Sequence, residues 1–429
     1  MANNKKQSRL KKDYPIFDCD AHVNDPLQVW EYVDPQYRDL VRQSYWRDNT
    51  QAILNGKLRV LGGGEARSNT YNPICIAGPK MNKKLLRRLQ QMPLNAEQVD
   101  YLEHKGAYNP HARLKEMDAM GIDQVLVIPT MLTEHYLRIE SAEGAYGLAR
   151  AYNNWVTDYC KAVPDRLFPA GLAPVQNAAF AAEEIRRIHK LGFPVVLVRP
   201  VDAQRNYPNR IAGGFGAIGG GTWDLVYRTI QETGITLGMH TFPAPAGGVG
   251  MEALAYSPGE LLTKSETNSQ TLSFVFEAMT WASQVLLSGF LDRYPQLKMI
   301  IFESNATWLP ELLERCDRLF KLYANERALP AKRLPTEAFF QQCMISFESD
   351  ETPVFRQWDF YQNIGIWASD AYHHDGADAW SGIREMEKAE VPAHVQAKLM
   401  GANARRFYGI QGKLFVTGEL DVPRPAWFP

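Results

Sequence analysis

The chain has 429 residues, with 47 Lys and Arg against 48 Asp and Glu, a formal net charge of −1. That balance excludes attachment to nucleic acid or an anionic membrane by net charge alone. Hydrophobic residues make up 45% and charged residues 22%, the composition of a globular chain with a large core, and no run of about 18 apolar residues offers a membrane-spanning helix.

In chain order, the start "MANNKKQSRLKKDYP" is basic with no apolar segment behind it. It reads as a flexible solvated tail over 1–12 rather than a secretory signal. A short apolar run, Ile16–Cys19, then enters "FDCDAHVNDP". The stretch from Leu27 to about Pro110 exceeds ordinary loop length and carries a basic helical piece, "KMNKKLLRRLQQM"; it reads as a cap or interface insertion. Seven further runs rich in β-branched residues follow: Val125–Ile128, Phe168–Leu172, Val195–Val198, Ile235–Met239, Met299–Phe302, Met344–Phe347 and Ile364–Ala368. Amphipathic segments such as "RLKEMDAMG", "AEEIRRIHKLG" and "WDLVYRTIQETG" separate them. Gly121, Gly192 and Gly234 stop helical patterns just before a run, as residues past a helix C-terminus do. The Gly- and Pro-rich segment from Phe242 to about Glu266 suits an active-site lid, and the proline-spaced 413–429 reads as an extended arm.

Strand and helix alternating about eight times is the rhythm of an α/β fold, a parallel (β/α)8 TIM barrel or an open doubly wound sheet. The polar residues at the strand ends favour the barrel. Asp20 and His22 follow the first run, His240 the fifth, Glu303 the sixth and Asp370 the eighth. In a barrel those strand ends converge on one mouth; in an open sheet the first and eighth lie apart. The prediction is therefore one barrel over 13–412, with the insertion at about 27–110. Five scattered cysteines (Cys19, Cys75, Cys160, Cys316, Cys343) without a C-x-x-C point to a reducing, cytoplasmic compartment and no disulfide framework.

Each constellation has a plainer alternative. Asp20 and His22, two apart on an extended backbone, face the same way and offer oxygen and nitrogen to a divalent cation; otherwise Asn24 and Asp25 before Pro26 mark the stretch as a helix cap. Asp18 either shares that face or holds a neighbouring loop. His240 alone would be a satisfied core histidine. Asp370, with His373, His374 and Asp375 behind it, follows a buried strand and needs a counter-charge, a metal or an Asx turn. Glu303 is a ligand or a buried acid satisfied by backbone. One metal site explains all four strand ends together, where the alternatives need four separate explanations. Arg199, after "VVLV", is a candidate for binding a substrate carboxylate, with an ion pair to a loop acid as the alternative. The G-x-G-x-x-G at Gly214, Gly216 and Gly219 sits outside a strand–helix junction and reads as a loop. His104, His111, His135, His189 and His394 read as surface or structural.

Five segments, "FDCDAHVNDP", "LGMHTF", "FESNATWLPELLERCDRL", "IWASDAYHHDG" and "GANARRFYGI", resemble the amidohydrolase-related branch (aminocarboxymuconate-semialdehyde decarboxylase-like) of the amidohydrolase superfamily. The resemblance implies a distorted barrel with a metal at its mouth. It places Asp20 and His22 at the H-x-H positions, His240 at the strand-five histidine and Asp370 at the strand-eight aspartate that ligates metal and handles the proton. Glu303 falls where many members have a histidine, and His373 and Asp375 match the tail of S-D-x-P-H-x-D without its proline. The implied set is Asp20, His22, His240, Glu303, Asp370 and His373, with Asp370 and Glu303 catalytic, holding a divalent ion (Zn, Mn or Fe) or two.

The function expected is hydrolysis or non-oxidative decarboxylation of a small carboxylated substrate. The alternatives are O2-dependent hydroxylation at a dinuclear iron-containing centre, and a non-catalytic barrel subunit. The insertion and arm are expected to build a homo-dimer or hetero-oligomer, with neither nucleic acid nor membrane as partner.

Overall fold

A computed structural model describes residues 9–23, 27–40, 105–130, 132, 141–174, 176–197, 222–241, 266–324, 331–373, 376–412 and 416–420. Eight strands follow the eight apolar runs: β1 Phe17–Val23, β2 Gln124–Pro129, β3 Leu167–Leu172, β4 Val195–Leu197, β5 Thr236–His240, β6 Met299–Phe302, β7 Cys343–Phe347 and β8 Gly365–Trp367. They lie side by side in chain order, each parallel to the next. An isolated parallel bridge from Ala21 to Ala371 closes the ring, beside a bond from the Asp370 amide to the Asp20 carbonyl (3.0 Å). The strands are nearly all apolar and buried because helices cover the outside and side chains fill the inside. The outcome is the (β/α)8 barrel that the spacing of polar strand ends required.

The longer helices around the strands are α1 Pro110–Met120, α2 Ala142–Lys161, α3 Ala178–Lys190, α4 Thr222–Thr233, α5 Glu266–Leu287, α6 Leu309–Tyr323, α7 Pro335–Gln342 and, after β8, α8 Ala379–Lys388; two short helices, Thr352–Arg356 and Trp358–Tyr361, link β7 to β8. Local chemistry sets their ends. Asn109 caps α1 by accepting from the amides of His111 and Ala112, and Asn177 does the same for α3 through Ala179 and Phe180. Gly121 ends α1 at φ 77°, and a Cβ there would also lie 2.5 Å from the Trp380 ring, so two constraints exclude a side chain.

Two stretches depart from expectation. β1 does not stop at Cys19 but runs to Val23 with every residue buried. Asp18 can stay in the sheet because its carboxylate accepts from Ser369 N (3.0 Å), Ser369 Oγ (2.5 Å) and Asp20 N (3.1 Å). The strand–loop alternative for Asp18 is thus the one realised: it ties β1 to the segment after β8. A register shift between Asp18 and Ala21 re-aims the end of the strand, as bulges do.

The second departure lies at the other rim. The last residues of the supposed flexible tail are fixed, Lys11 forming an antiparallel bridge with Gly418. Lys12 N donates to Thr417 O (3.1 Å) and Glu419 N to Leu10 O (3.0 Å). Lys12 itself is buried and paired with Asp123, which a solvated tail would not allow. The described part of the arm therefore packs on its own chain. Of the insertion, residues 27–40 form short turns of 3-10 helix at Leu27–Tyr32 and Pro35–Tyr37; 41–104 lie outside the described residues. Among the described residues no helix is long and apolar enough to cross a membrane.

Candidate metal centre

The barrel brings the predicted side chains together at its C-terminal mouth. Asp20 and His22 come from the far half of β1, His240 is the last residue of β5, Glu303 directly follows β6, and Asp370 and His373 follow β8. Asp20, His22, His240 and Asp370 are buried. His22 Nε2 lies 3.0 Å from Asp20 Oδ1 and 3.4 Å from Asp370 Oδ1. His240 Nε2 lies 3.6 Å from Asp20 Oδ2 and 3.2 Å from Glu303 Oε2. His373 Nδ1 is 2.6 Å from Asp370 Oδ1 and 3.8 Å from Glu303 Oε1. Glu303 and Asp370 both sit in the left-handed backbone region, at φ 44° and 50°. That conformation costs a non-glycine residue about 1–3 kcal/mol and tends to persist where function demands it.

Counting protons shows what the cluster can hold. The Thr130 hydroxyl donates to the Val23 carbonyl (2.8 Å), so toward His22 Nδ1 (3.2 Å) it can only accept. His22 therefore carries its proton on Nδ1 and turns the lone pair of Nε2 toward Asp20 and Asp370. His240 Nδ1 faces the Thr241 carbonyl (2.6 Å), which also only accepts, so in the neutral ring Nε2 likewise turns a lone pair toward Asp20 and Glu303. Asp20 Oδ1 and His22 Nε2 are buried without a hydrogen-bond donor. Lone pairs facing carboxylates across about 3 Å repel unless a cation lies among them. Asp20, His22 and His240 place ligand atoms within 4.8 Å of one another, as do His22, Asp370 and His373. Imidazole nitrogen with carboxylate oxygen is the donor set of divalent Zn, Mn or Fe. The residues fit a divalent metal ion.

Without an ion, the protein's own field divides the three imidazoles. Burial lowers His22 to about 4, helped by the neighbouring His373, which keeps the ring neutral. Burial alone would raise Asp20, but the His22 and His240 imidazoles reverse this and hold it below the usual carboxylate range. Burial pulls His240 and His373 down, yet their carboxylate neighbours win and raise both, His373 well above its ordinary value. Asp18, outside the cluster, is pushed up to about 7 by burial.

All six residues expected as ligands meet here. Arg199, His374 and Asp375, the glycines Gly214, Gly216 and Gly219, the lid segment 242–265, His104 and His135 lie outside the described residues. His111, His189 and His394 are exposed on helices, as expected. Two neighbours of the site were not anticipated. Thr130 is one; its signal was a hydroxyl placed directly after the apolar run of β2. Arg113 on α1 is the other: it is buried, donates twice to the His22 carbonyl (3.2 and 2.5 Å) and lies 4.9 Å from the centre of the Tyr372 ring. Its signal was its place on the stripe of α1 that also buries Met117 and Met120.

Comparisons with known proteins agree with the barrel fold. A family model described as amidohydrolase matches residues 17–410. The γ-resorcylate decarboxylase of Rhizobium sp. (strain MTP-10005) is 22% identical over 337 residues, 72% of this chain and 90% of that one. Among solved structures, the 5-carboxyvanillate decarboxylase of Sphingomonas paucimobilis superposes with a TM-score of 0.62 at 19% identity, over 93% of this chain and 100% of that one. The 5-carboxyvanillate decarboxylase of Novosphingobium aromaticivorans, solved with manganese and 4-hydroxy-3-methoxy-5-nitrobenzoic acid, superposes at 0.61 and 17% identity over 92% and 96%. At these identities the solved structures speak for the fold.

Proposed function

The chain belongs to the amidohydrolase family, and from that premise we propose that it catalyses metal-dependent, non-oxidative decarboxylation of a small aromatic carboxylate. The observation that carries this is the convergence of two imidazole lone pairs and three carboxylates at the barrel mouth. The relatives whose names print aromatic acid decarboxylation supply the substrate class, and a manganese-bound neighbour favours Mn among the candidate ions.

In this proposal Asp20, His22, His240 and Asp370 hold the ion. Once bound, it would supply a Lewis acid for a substrate oxygen. Asp370, protonated, gives its proton to the ring carbon that bears the carboxylate. The bond from that carbon to the carboxylate then breaks, its electron pair returns to the ring, and CO2 leaves. Asp370 regains a proton from water. His373, 2.6 Å away, orients Asp370, and Glu303 spans His240 and His373. Arg199 remains the candidate partner for the substrate carboxylate. Decarboxylation is preferred to hydrolysis because the named relatives are decarboxylases. A cytoplasmic homo-dimer remains the proposed setting.

The test is CO2 release from hydroxy- and methoxybenzoates by manganese-loaded protein without oxygen. Turnover that stops with a chelator and returns with Mn2+ supports the proposal; no turnover of any such acid by loaded protein overturns it. One feature favours a second reading: the two oxygens of Glu303 face different imidazoles, as a carboxylate between two ions would. Two metal equivalents per chain, with product formed only in oxygen, would replace decarboxylation by hydroxylation.

A further inference from the structure

We propose that Thr130 is a positioning residue: its hydroxyl accepts from His22 Nδ1 and His373 Nε2, and this leaves His22 with the Nε2 lone pair turned toward Asp20 and Asp370. The inference rests on the metal reading above and extends it beyond the ligands.

Thr130 directly follows β2 and is buried. The rings of His22 and His373 stack beside it, centroids 3.9 Å apart and planes 28° from parallel. Its Oγ1 reaches a nitrogen of each: His22 Nδ1 at 3.2 Å and His373 Nε2 at 3.4 Å. A threonine hydroxyl has one proton and two lone pairs. The proton is committed to the Val23 carbonyl at 2.8 Å, which cannot donate in return. Both contacts to the rings must therefore run from ring N–H to Oγ1. That assigns the proton of His22 to Nδ1 and the Thr130-facing proton of His373 to Nε2. The remaining nitrogens, His22 Nε2 and His373 Nδ1, face one oxygen, Asp370 Oδ1, at 3.4 and 2.6 Å. One hydroxyl thus orders the ligand group His22, Asp370 and His373.

Without the hydroxyl, the Nδ1–H of His22 loses its acceptor in a buried site. The ring then does better by placing its proton on Nε2, where Asp20 and Asp370 accept it. A donated proton would occupy the lone pairs that a cation needs. An outer partner that fixes a ligating imidazole in this way is typically worth about 10–100-fold in metal affinity.

The experiment compares Mn2+ affinity, by chelator competition on metal-free full-length chain, for wild type, Thr130→Val and Thr130→Ser. Valine keeps the shape and loses the hydroxyl; serine keeps the hydroxyl. The expected result is a loss of about 10–100-fold for valine and little loss for serine, with metal-free melting temperatures alike. Valine binding like wild type, or serine losing as much as valine, overturns the proposal. A wild-type chain that takes up no divalent ion overturns the metal reading, and this one with it. Should Thr130→Val not fold, nitrogen NMR of histidine-labelled wild-type protein decides: a protonated Nδ1 on His22 supports the assignment, and a protonated Nε2 overturns it.

Discussion

The barrel buries charge at both of its rims and treats it in opposite ways. At the lower rim, Asp123 precedes β2 and accepts from the Ile16 and Val416 amides, both at 2.8 Å, and from Lys12. Each of these three contacts is a donor meeting an acceptor. At the upper rim, Asp20 meets imidazoles that offer lone pairs. The lower acid is structure, completed by the chain that folded around it. The upper one is completed only by something from outside. A buried carboxylate is thus diagnosed by the proton inventory of its neighbours rather than by its burial, and burial alone does not separate Asp123 from Asp20.

The contrast can be broken by experiment. The largest effect falls on the upper rim: chelation abolishes turnover, and Mn2+ restores it. Asp370→Asn keeps the ion's neighbourhood but removes the transferable proton, so kcat falls by about a thousandfold in a CO2-release assay. Asp20→Asn weakens Mn2+ affinity by more than the roughly 100-fold of an outer partner, while the melting of metal-free protein changes little. Asp123→Ala should do the reverse. It leaves Lys12 charged, buried and unpaired, which costs about 3–5 kcal/mol in denaturant unfolding, with metal affinity unchanged. If Asp123→Ala instead costs affinity, the two rims are not independent.

The smallest effect sharpens the comparison with an intermediate case. Glu351 accepts from the amides of Ala306 (2.8 Å) and Glu348 (3.0 Å), yet burial pushes it from 4.5 up to about 7. The folded chain therefore keeps a proton that the unfolded chain has already released. The stability that Glu351 contributes is full below about pH 4.5 and falls as pH rises toward 7, by up to about 3 kcal/mol. Glu351→Gln, which imitates the protonated acid, should flatten that slope in urea titrations taken across the range. An unaltered slope would assign it to other groups.

The eight strands were legible because a parallel sheet covered on both sides must be apolar throughout, and the runs therefore stand out. The residues that meet at the mouth were legible because charge directly after such a run has no ordinary reason to be there. What escaped was chemistry that looks ordinary in sequence. β1 was read too short because Asp18, Asp20 and His22 interrupt its apolar character, while Ser369, which satisfies Asp18, lies 351 residues away. Arg113 looks like any basic residue on an exposed helix face, although it is buried behind His22. Thr130 is one threonine after one strand, and its weight comes wholly from what β1 and the β8 loop bring beside it.

The bridge between Ala21 and Ala371 closes the ring between its first and last strands, and the Asp370 amide bonds the Asp20 carbonyl across the same seam. These contacts join residues some 350 positions apart, the most expensive kind to form from a disordered chain. The seam also separates Asp20 and His22 from Asp370 and His373. A partly folded chain with an open seam therefore has two half-sites and no full one. An ion that needs both halves adds its binding free energy only to the closed ring, in the manner of a clasp.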